Sequence, residues 1–305
     1  MSETAEIFDR RLLVRRRERA AASAEAHEFL LARAADDIVA RLSAIRRQFP
    51  IALNLGAAHG LLGRRLREVP GIELVIDAEP SPALLAQCDG AKVRMDEEGL
   101  PFADQSLDLV VSGLALQFVN DLPGTLIQVR RALKPDGLLL ATLLGGATLQ
   151  ELRASFLQAE VEVEGGVSPR VAPFADVRDI GALLQRAQFA LPVADSDTLT
   201  VTYADPLALM RELRGMGATN ALQARRRTWL RRATFTRALE IYAERFGLAD
   251  GRIPATFELI TLTGWAPHES QQKPLRPGSA TSRLADALKT SEHSTGEAAG
   301  APVRR

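Results

Sequence analysis

The chain has 305 residues, 46% of them hydrophobic, enough to bury a sizeable core in one large domain or two small ones. Its 38 basic and 38 acidic side chains cancel, which argues against a protein held on nucleic acid mainly by a broad positive field. The single cysteine, Cys88, excludes an intramolecular disulfide and a cysteine-rich zinc site, and no apolar run reaches the roughly 18 to 20 residues of a membrane span. The expected location is cytoplasmic, or the mitochondrial matrix in a eukaryote.

Residues 1–50 form an N-terminal helical segment in which Leu31, Ala34, Ala35, Ile38, Leu42, Ile45 and Phe49 predict a one-faced helix from His27 to Phe49, stopped by Pro50. Ile51 to Leu55 is a short apolar strand that runs into the loop Gly56-Ala57-Ala58-His59-Gly60 and a helix from Leu61 to Val69. The alternation continues with Leu74–Asp77 as strand, Pro82–Gln87 as helix, Lys92–Met95 and Leu107–Ser112 as strands, Leu122–Leu133 as helix and Leu138–Leu144 as strand. Such a pattern predicts a parallel sheet covered by helices on both faces, with a ligand site beyond the carboxyl ends of the strands.

Helices are predicted from Thr148 to Glu160 and from Val177 to Gln188, with extended segments at Thr198–Tyr203 and Thr256–Thr263. Between those segments, about residues 205–247 read as a helical insertion in a domain covering 51–268. Residues 269–305 are rich in Gly, Pro, Ser, Thr and Ala and read as a flexible tail.

Asp77 lies 21 residues after Gly56 at the end of the second strand, a spacing at which an acid reaches two ribose hydroxyls while the loop backbone approaches the rest of a nucleoside cofactor. Dinucleotides and S-adenosylmethionine both remain open at this point. The third strand ends in Asp96-Glu97, where a carboxylate can accept from an adenine amino group.

Asn54 to Gly60, Asp77, Asp96 with Leu100-Pro101-Phe102, Asp108 to Ser112 and Leu133-Lys134-Pro135-Asp136-Gly137 together resemble the ordered motifs of class I S-adenosylmethionine-dependent methyltransferases. That resemblance implies a Rossmann-like α/β fold with a mostly parallel, seven-stranded sheet and a helical insertion between the last strands. Over nearly the whole chain, Ile7-Phe8-Asp9-Arg10, Asn120-Asp121-Leu122-Pro123, Gly145 to Leu149, Gly165 to Pro169, Gly215-Met216-Gly217, Pro254-Ala255-Thr256 and His268 to Gln271 resemble the methyltransferase-like assembly factors of respiratory complex I. The implied activity is hydroxylation of an arginine on a complex I subunit. A more distant resemblance is to the biotin-pathway malonyl carrier-protein methyltransferases, so methyl transfer to a small or carrier-bound carboxylate is an alternative, and a non-catalytic assembly chaperone is another.

The resemblance implies that S-adenosyl-L-methionine is the cofactor. Gly56 and Gly60 would let the backbone approach its methionine part along Ala57 and Ala58, Asp77 would bind the ribose and Asp96 the adenine, with Glu97 and Leu114 flanking the ring. Asn54 stands where the family usually has an acid. Ala58 replaces the middle glycine, which costs about 1–2 kcal/mol if the backbone is left-handed there.

On the substrate side, Gln117 and Phe118 occupy the position where many relatives carry a histidine and a tryptophan. Gln117 cannot serve as a base, but transfer to a carboxylate needs none. Glu160, Glu162 and Glu164 would, if extended, align three carboxylates on one face and hold a substrate guanidinium. The run Arg225, Arg226, Arg227, Arg231 and Arg232 reads as a wet helix surface or as a dock for an acidic partner. His27, His59, His268 and His293 are scattered, so hydroxylation rests on the resemblance alone and no metal site is expected.

Overall fold

A computed structural model describes residues 6–272 and 284–291, in two compact units that divide at Glu269. The second unit contains the short helix α10 (Leu284–Leu288). Most of the predicted flexible tail, and His293, lie outside the described residues. No helix among the described residues is long and apolar enough to cross a membrane.

The first unit is built on one sheet of seven strands: β1 (Ile51–Leu55), β2 (Leu74–Ala78), β3 (Ala91–Val93), β4 (Leu107–Gly113), β5 (Leu133–Leu144), β6 (Ala190–Tyr203) and β7 (Ile253–Trp265). Their order is β3-β2-β1-β4-β5-β7-β6, and only β7 runs antiparallel to its neighbours, as the resemblance implied. The chain builds outward from β1 through β2 to β3 and then returns to start β4 on the other side. Loops after β1 and β4 therefore diverge and leave a crevice at the carboxyl ends of the strands.

Strand alternation sends successive side chains to opposite layers. Leu109, Val111 and Leu140 pack under α2 (Phe29–Ser43) and α3 (Leu61–Leu66) through Ala35, Ile38, Leu42, Leu62 and Leu66. Val110, Leu139 and Ala141 face α5 (Leu122–Ala132) and α7 (Val177–Arg186) through Leu126, Val129, Ile180 and Leu184. A third core joins Phe156 of α6 (Gln150–Glu164), Leu209 of α8 (Pro206–Gly215) and Tyr242 of α9 (Arg232–Phe246) to Phe257 of β7.

Several boundaries differ from the predicted ones. The N-terminal segment contains an additional helix, α1 (Arg10–Ala20), capped by Asp9, whose side chain accepts from the Leu12 amide. A 3-10 turn (Ala21–His27) then delays α2 to Phe29. β6 begins eight residues before the predicted strand, because Pro192, Asp195 and Asp197 disguise an edge strand with a register irregularity at its start. The helical insertion is two helices separated by residues 216–231, which form no regular helix.

Candidate functional site

The loop after β1 turns on backbone conformations that few side chains tolerate. Gly56 (φ +72°) and Gly60 (φ +86°) are left-handed, and a Cβ on Gly56 would collide with the Ala115 methyl and lie 3.2 Å from Glu97 Oε1. The Gly56 and Ala57 amides both donate to the Ala78 carbonyl at 2.9 Å, fastening the loop to the end of β2. Ala58 is also left-handed at φ +50°, so its methyl carries the strain weighed from the sequence.

Two acids stand at the end of β2, one inside the ladder and one past it. Asp77 is fully buried and still inside the ladder, opposite Asn54. It accepts from Asn54 Nδ2 at 2.7 Å and from Arg67 Nη2 at 2.7 Å, and its carboxylate sits over Gly63 of α3. Glu79 lies one residue past the last β1–β2 pair. It accepts from the Ala58 amide at 3.0 Å and the Ser81 amide at 3.1 Å, beside the loop rather than under it. Burial, opposed by Arg17 and reinforced by Glu97, pushes the Glu79 carboxyl up to about 7.

Across the crevice, Glu97 is 1% exposed, and its Oε1 has no hydrogen-bond partner among the described residues. Arg10 of α1 donates to Glu97 and, at 2.7 Å, to Asp96, while its other amino group donates to the Phe118 carbonyl at 3.1 Å. Arg17, two turns along the same face of α1, lies 3.6 Å from Glu97 and 3.8 Å from Glu79, with its guanidinium 5.7 Å from the centre of the Phe118 ring. Asn120 holds the entry to α1: its Oδ1 accepts from the Ile7 and Phe8 amides at 2.9 and 2.8 Å. Two motif segments that are far apart in sequence thus meet on one side chain.

A cavity of about 120 Å³ opens here, lined by Gly56, Ala58, His59, Leu114, Gln117 and Phe118 among others. Leu114 is held at φ +56° with its amide on the Thr142 carbonyl, and Gln117 donates from Nε2 to the Leu114 carbonyl at 2.8 Å. His59 and Glu28, joined at 2.6 Å, line the same space, as does His27, whose Nδ1 is 3.1 Å from Glu212. His59 stands within the loop motif but had no role assigned from the sequence, and no local motif marks His27 or Glu28.

A second cavity of about 390 Å³ adjoins the first through Leu30, Phe118, Leu144 and Met216. Phe8, Phe118, Phe156, Phe174, Phe235 and Phe257 make its walls aromatic. Among the described residues, its charged lining is Arg16, Arg170 and Arg214.

The expected row of glutamates is corrected. Residues 150–164 are helical, so Glu160 and Glu164 share a face that Glu162 does not, and each acid is already paired within the chain. Glu160 binds Arg170 and Ser168, Glu162 binds Arg237 at 2.6 Å, and Glu164 binds Arg226 and Thr234. The arginine run is likewise not one helix face: Arg225 turns in to Asp9 at 3.0 Å and Arg226 to Glu164, leaving Arg227, Arg231 and Arg232 exposed.

A sheet of this order with a glycine-bearing loop and buried acids at its switch point defines a methyltransferase-fold protein. The methyltransferase domain family matches residues 53–141. The YcgJ protein of Bacillus subtilis shares the fold with a TM-score of 0.54 at 15% identity, covering 78% of this chain and 99% of that one. The chain is 37% identical over 293 residues to "Arginine-hydroxylase NDUFAF5, mitochondrial" of Danio rerio, covering 93% of this chain and 90% of the relative. The Homo sapiens protein of the same name is 39% identical over 284 residues, 91% of this chain and 82% of the relative. A malonyl-[acyl-carrier protein] O-methyltransferase of Gallionella capsiferriformans is 34% identical over 277 residues, 86% of this chain and 92% of the relative. The chain belongs to the NDUFAF5 arginine-hydroxylase family of the S-adenosylmethionine-dependent methyltransferase superfamily.

Proposed function

We propose that this protein binds S-adenosylmethionine across the crevice and modifies a protein during assembly of respiratory complex I. The observation that carries the cofactor assignment is the pair of buried acids at the mouth, Glu79 and Glu97, the second with an oxygen that faces Gly56, lies 3.6 Å from Arg17 and accepts no hydrogen bond among the described residues. Buried acceptors of this kind are costly unless a donor meets them, and ribose hydroxyls and an adenine amino group are such donors. Glu79 takes the sugar in place of Asp77, because Asp77 lies inside the β1–β2 ladder opposite Asn54 whereas Glu79 lies past its last pair, beside the loop. Asp96 takes the adenine end with Glu97 and Leu114 beside it, and the backbone of Gly56, Ala57 and Ala58 borders the methionine part. When bound, the cofactor supplies an electrophilic methyl group on a sulfonium.

The relatives point to arginine hydroxylation as the modification. One observation favours a second reading, methyl transfer to a small or carrier-bound carboxylate: the neighbouring cavity is aromatic and its charged lining, among the described residues, is arginine, which suits an anionic, apolar substrate. Intact mass of the candidate complex I subunit from wild-type and deletion strains separates the readings. One added oxygen supports hydroxylation, a biotin requirement on deletion supports carboxylate methylation, and neither change supports a non-catalytic assembly chaperone.

A further inference from the structure

We propose that the arginine-lined groove around Trp229 is the docking surface for a partner protein with an acidic face, seated so that it feeds its target group into the aromatic cavity; this rests on the function proposed above. The groove encloses about 890 Å³ and is lined by Arg16, Arg19, Arg211, Arg214, Thr219 and Trp229, with no acidic side chain among the described residues that line it. The chain as a whole is electrically neutral, so this face is a local concentration of one sign rather than a general property.

Crowding of like charge is visible at Arg16, whose guanidinium is held below its usual range by burial and then by Arg225 and Arg19. Arg211 has only a distant neighbour, Asp205 at 4.0 Å, and Arg214, Arg227, Arg231 and Arg232 have no ion pair among the described residues. Trp229 is 96% exposed, the most exposed large hydrophobic residue described. Tryptophan and arginine are the residue types that dominate binding energy in protein interfaces, and an indole left this open gains most from being covered.

The groove is also connected to the chemistry. Arg16, Arg214 and Thr219 line both it and the aromatic cavity, and Ala20 and Gly215 line both it and the cavity at the mouth. A partner seated on the groove stands at the entrance to both. A single-stranded nucleic acid would answer the charge and could stack bases on the phenylalanines, but a chain of zero net charge lacks the broad positive field that holds a run of phosphates. A protein answers both features, with carboxylates on the arginines and an apolar side chain against the aromatic walls.

The test uses the full chain and a fluorescein-labelled poly-glutamate peptide with one central phenylalanine, with the glutamine version as comparator. Anisotropy should show the glutamate peptide bound in preference, more weakly as salt rises, and about tenfold more weakly by Arg19→Glu/Arg211→Glu and by Trp229→Ala. Trp229 emission should shift to the blue on binding and the shift should vanish in Trp229→Phe, the other tryptophan, Trp265, being partly buried in the core. Equal binding of the two peptides, wild-type binding by the variants, or binding only of phosphatidylglycerol vesicles or single-stranded RNA would overturn the proposal. Calorimetry with S-adenosylmethionine on the same samples keeps the two levels apart. Absent cofactor heat counts against the function above, whereas intact heat with no peptide preference removes the docking surface alone.

Discussion

Arg10 and Glu97, 87 residues apart, form a buried ion pair that ties the N-terminal helix to the loop after β3. Arg10 keeps Asp96, at 2.7 Å, if Glu97 is lost, whereas among the described residues Glu97 keeps only Arg17, at 3.6 Å, if Arg10 is lost. Arg10→Met should cost about 3 kcal/mol in urea unfolding, because it leaves a buried carboxylate without its closest cation. Adding Glu97→Gln should recover much of that loss. A single variant as stable as the wild type would show that α1 is not seated as described.

Glu79 sets a pH dependence whose sign follows from its carboxyl being raised on folding. Between about 4.5, its ordinary value, and about 7 the native state holds a proton that the unfolded chain has released. Its contribution to stability therefore declines as pH rises through that window and is level above it. Melting temperatures across the window should fall less for Glu79→Gln than for the wild type. Hydroxyl donors favour the ionised carboxylate, so affinity for S-adenosylmethionine should climb up to about pH 7 and then flatten.

Asp77 and Glu79 should separate stability from binding. Asp77→Ala strands Arg67 and Asn54 beside a buried gap and should lower stability by about 3 kcal/mol while the remaining folded protein still gives cofactor heat in calorimetry. Glu79→Ala should abolish that heat with a smaller structural cost. The opposite pattern would return the sugar to Asp77.

Ala58→Gly relieves a left-handed alanine but frees the unfolded chain as well. The net expectation is a gain of about 0.5–1 kcal/mol in thermal unfolding, with tighter cofactor binding where the loop backbone is approached. A loss of stability would mean that the Ala58 methyl packs better than its backbone suffers.

Much of this architecture was legible in the sequence, because parallel strands buried on both faces read as short apolar runs between helical periods. Ile51–Leu55 and Leu107–Ser112 were placed almost to the residue. The sequence pattern favours Asp77 over Glu79 because the apolar run Leu74–Ile76 ends there. One more ladder residue, Ala78, leaves Asp77 enclosed between β1 and α3 and brings the next acid to the rim. The signal was present in Glu79-Pro80-Ser81-Pro82, an acid just before a serine cap whose side chain accepts from the Leu84 amide.

The glutamates at 160, 162 and 164 misled for a related reason. Alternating acids suggest an extended segment, but Leu152, Phe156 and Ala159 continue a helical stripe and Gly165 closes it in a left-handed cap. What no local pattern could reveal is pairing over long separations, such as Arg10 with Glu97 or His59 with Glu28.

The rim of the mouth joins the two ends of the unit: Arg16 donates to the Asn220 carbonyl, 204 positions away, and Arg225 to Asp9, 216 positions away. On the ribosome, then, the strands that frame the crevice emerge long before the loop that anchors α1 over it. A growing polypeptide that has reached Gly146 has already made Glu97, Phe118 and Asn120, the first partners of α1, but not Asn220 and Arg225, which also bind it, so the fastening of the cover over the ligand site is finished late in synthesis.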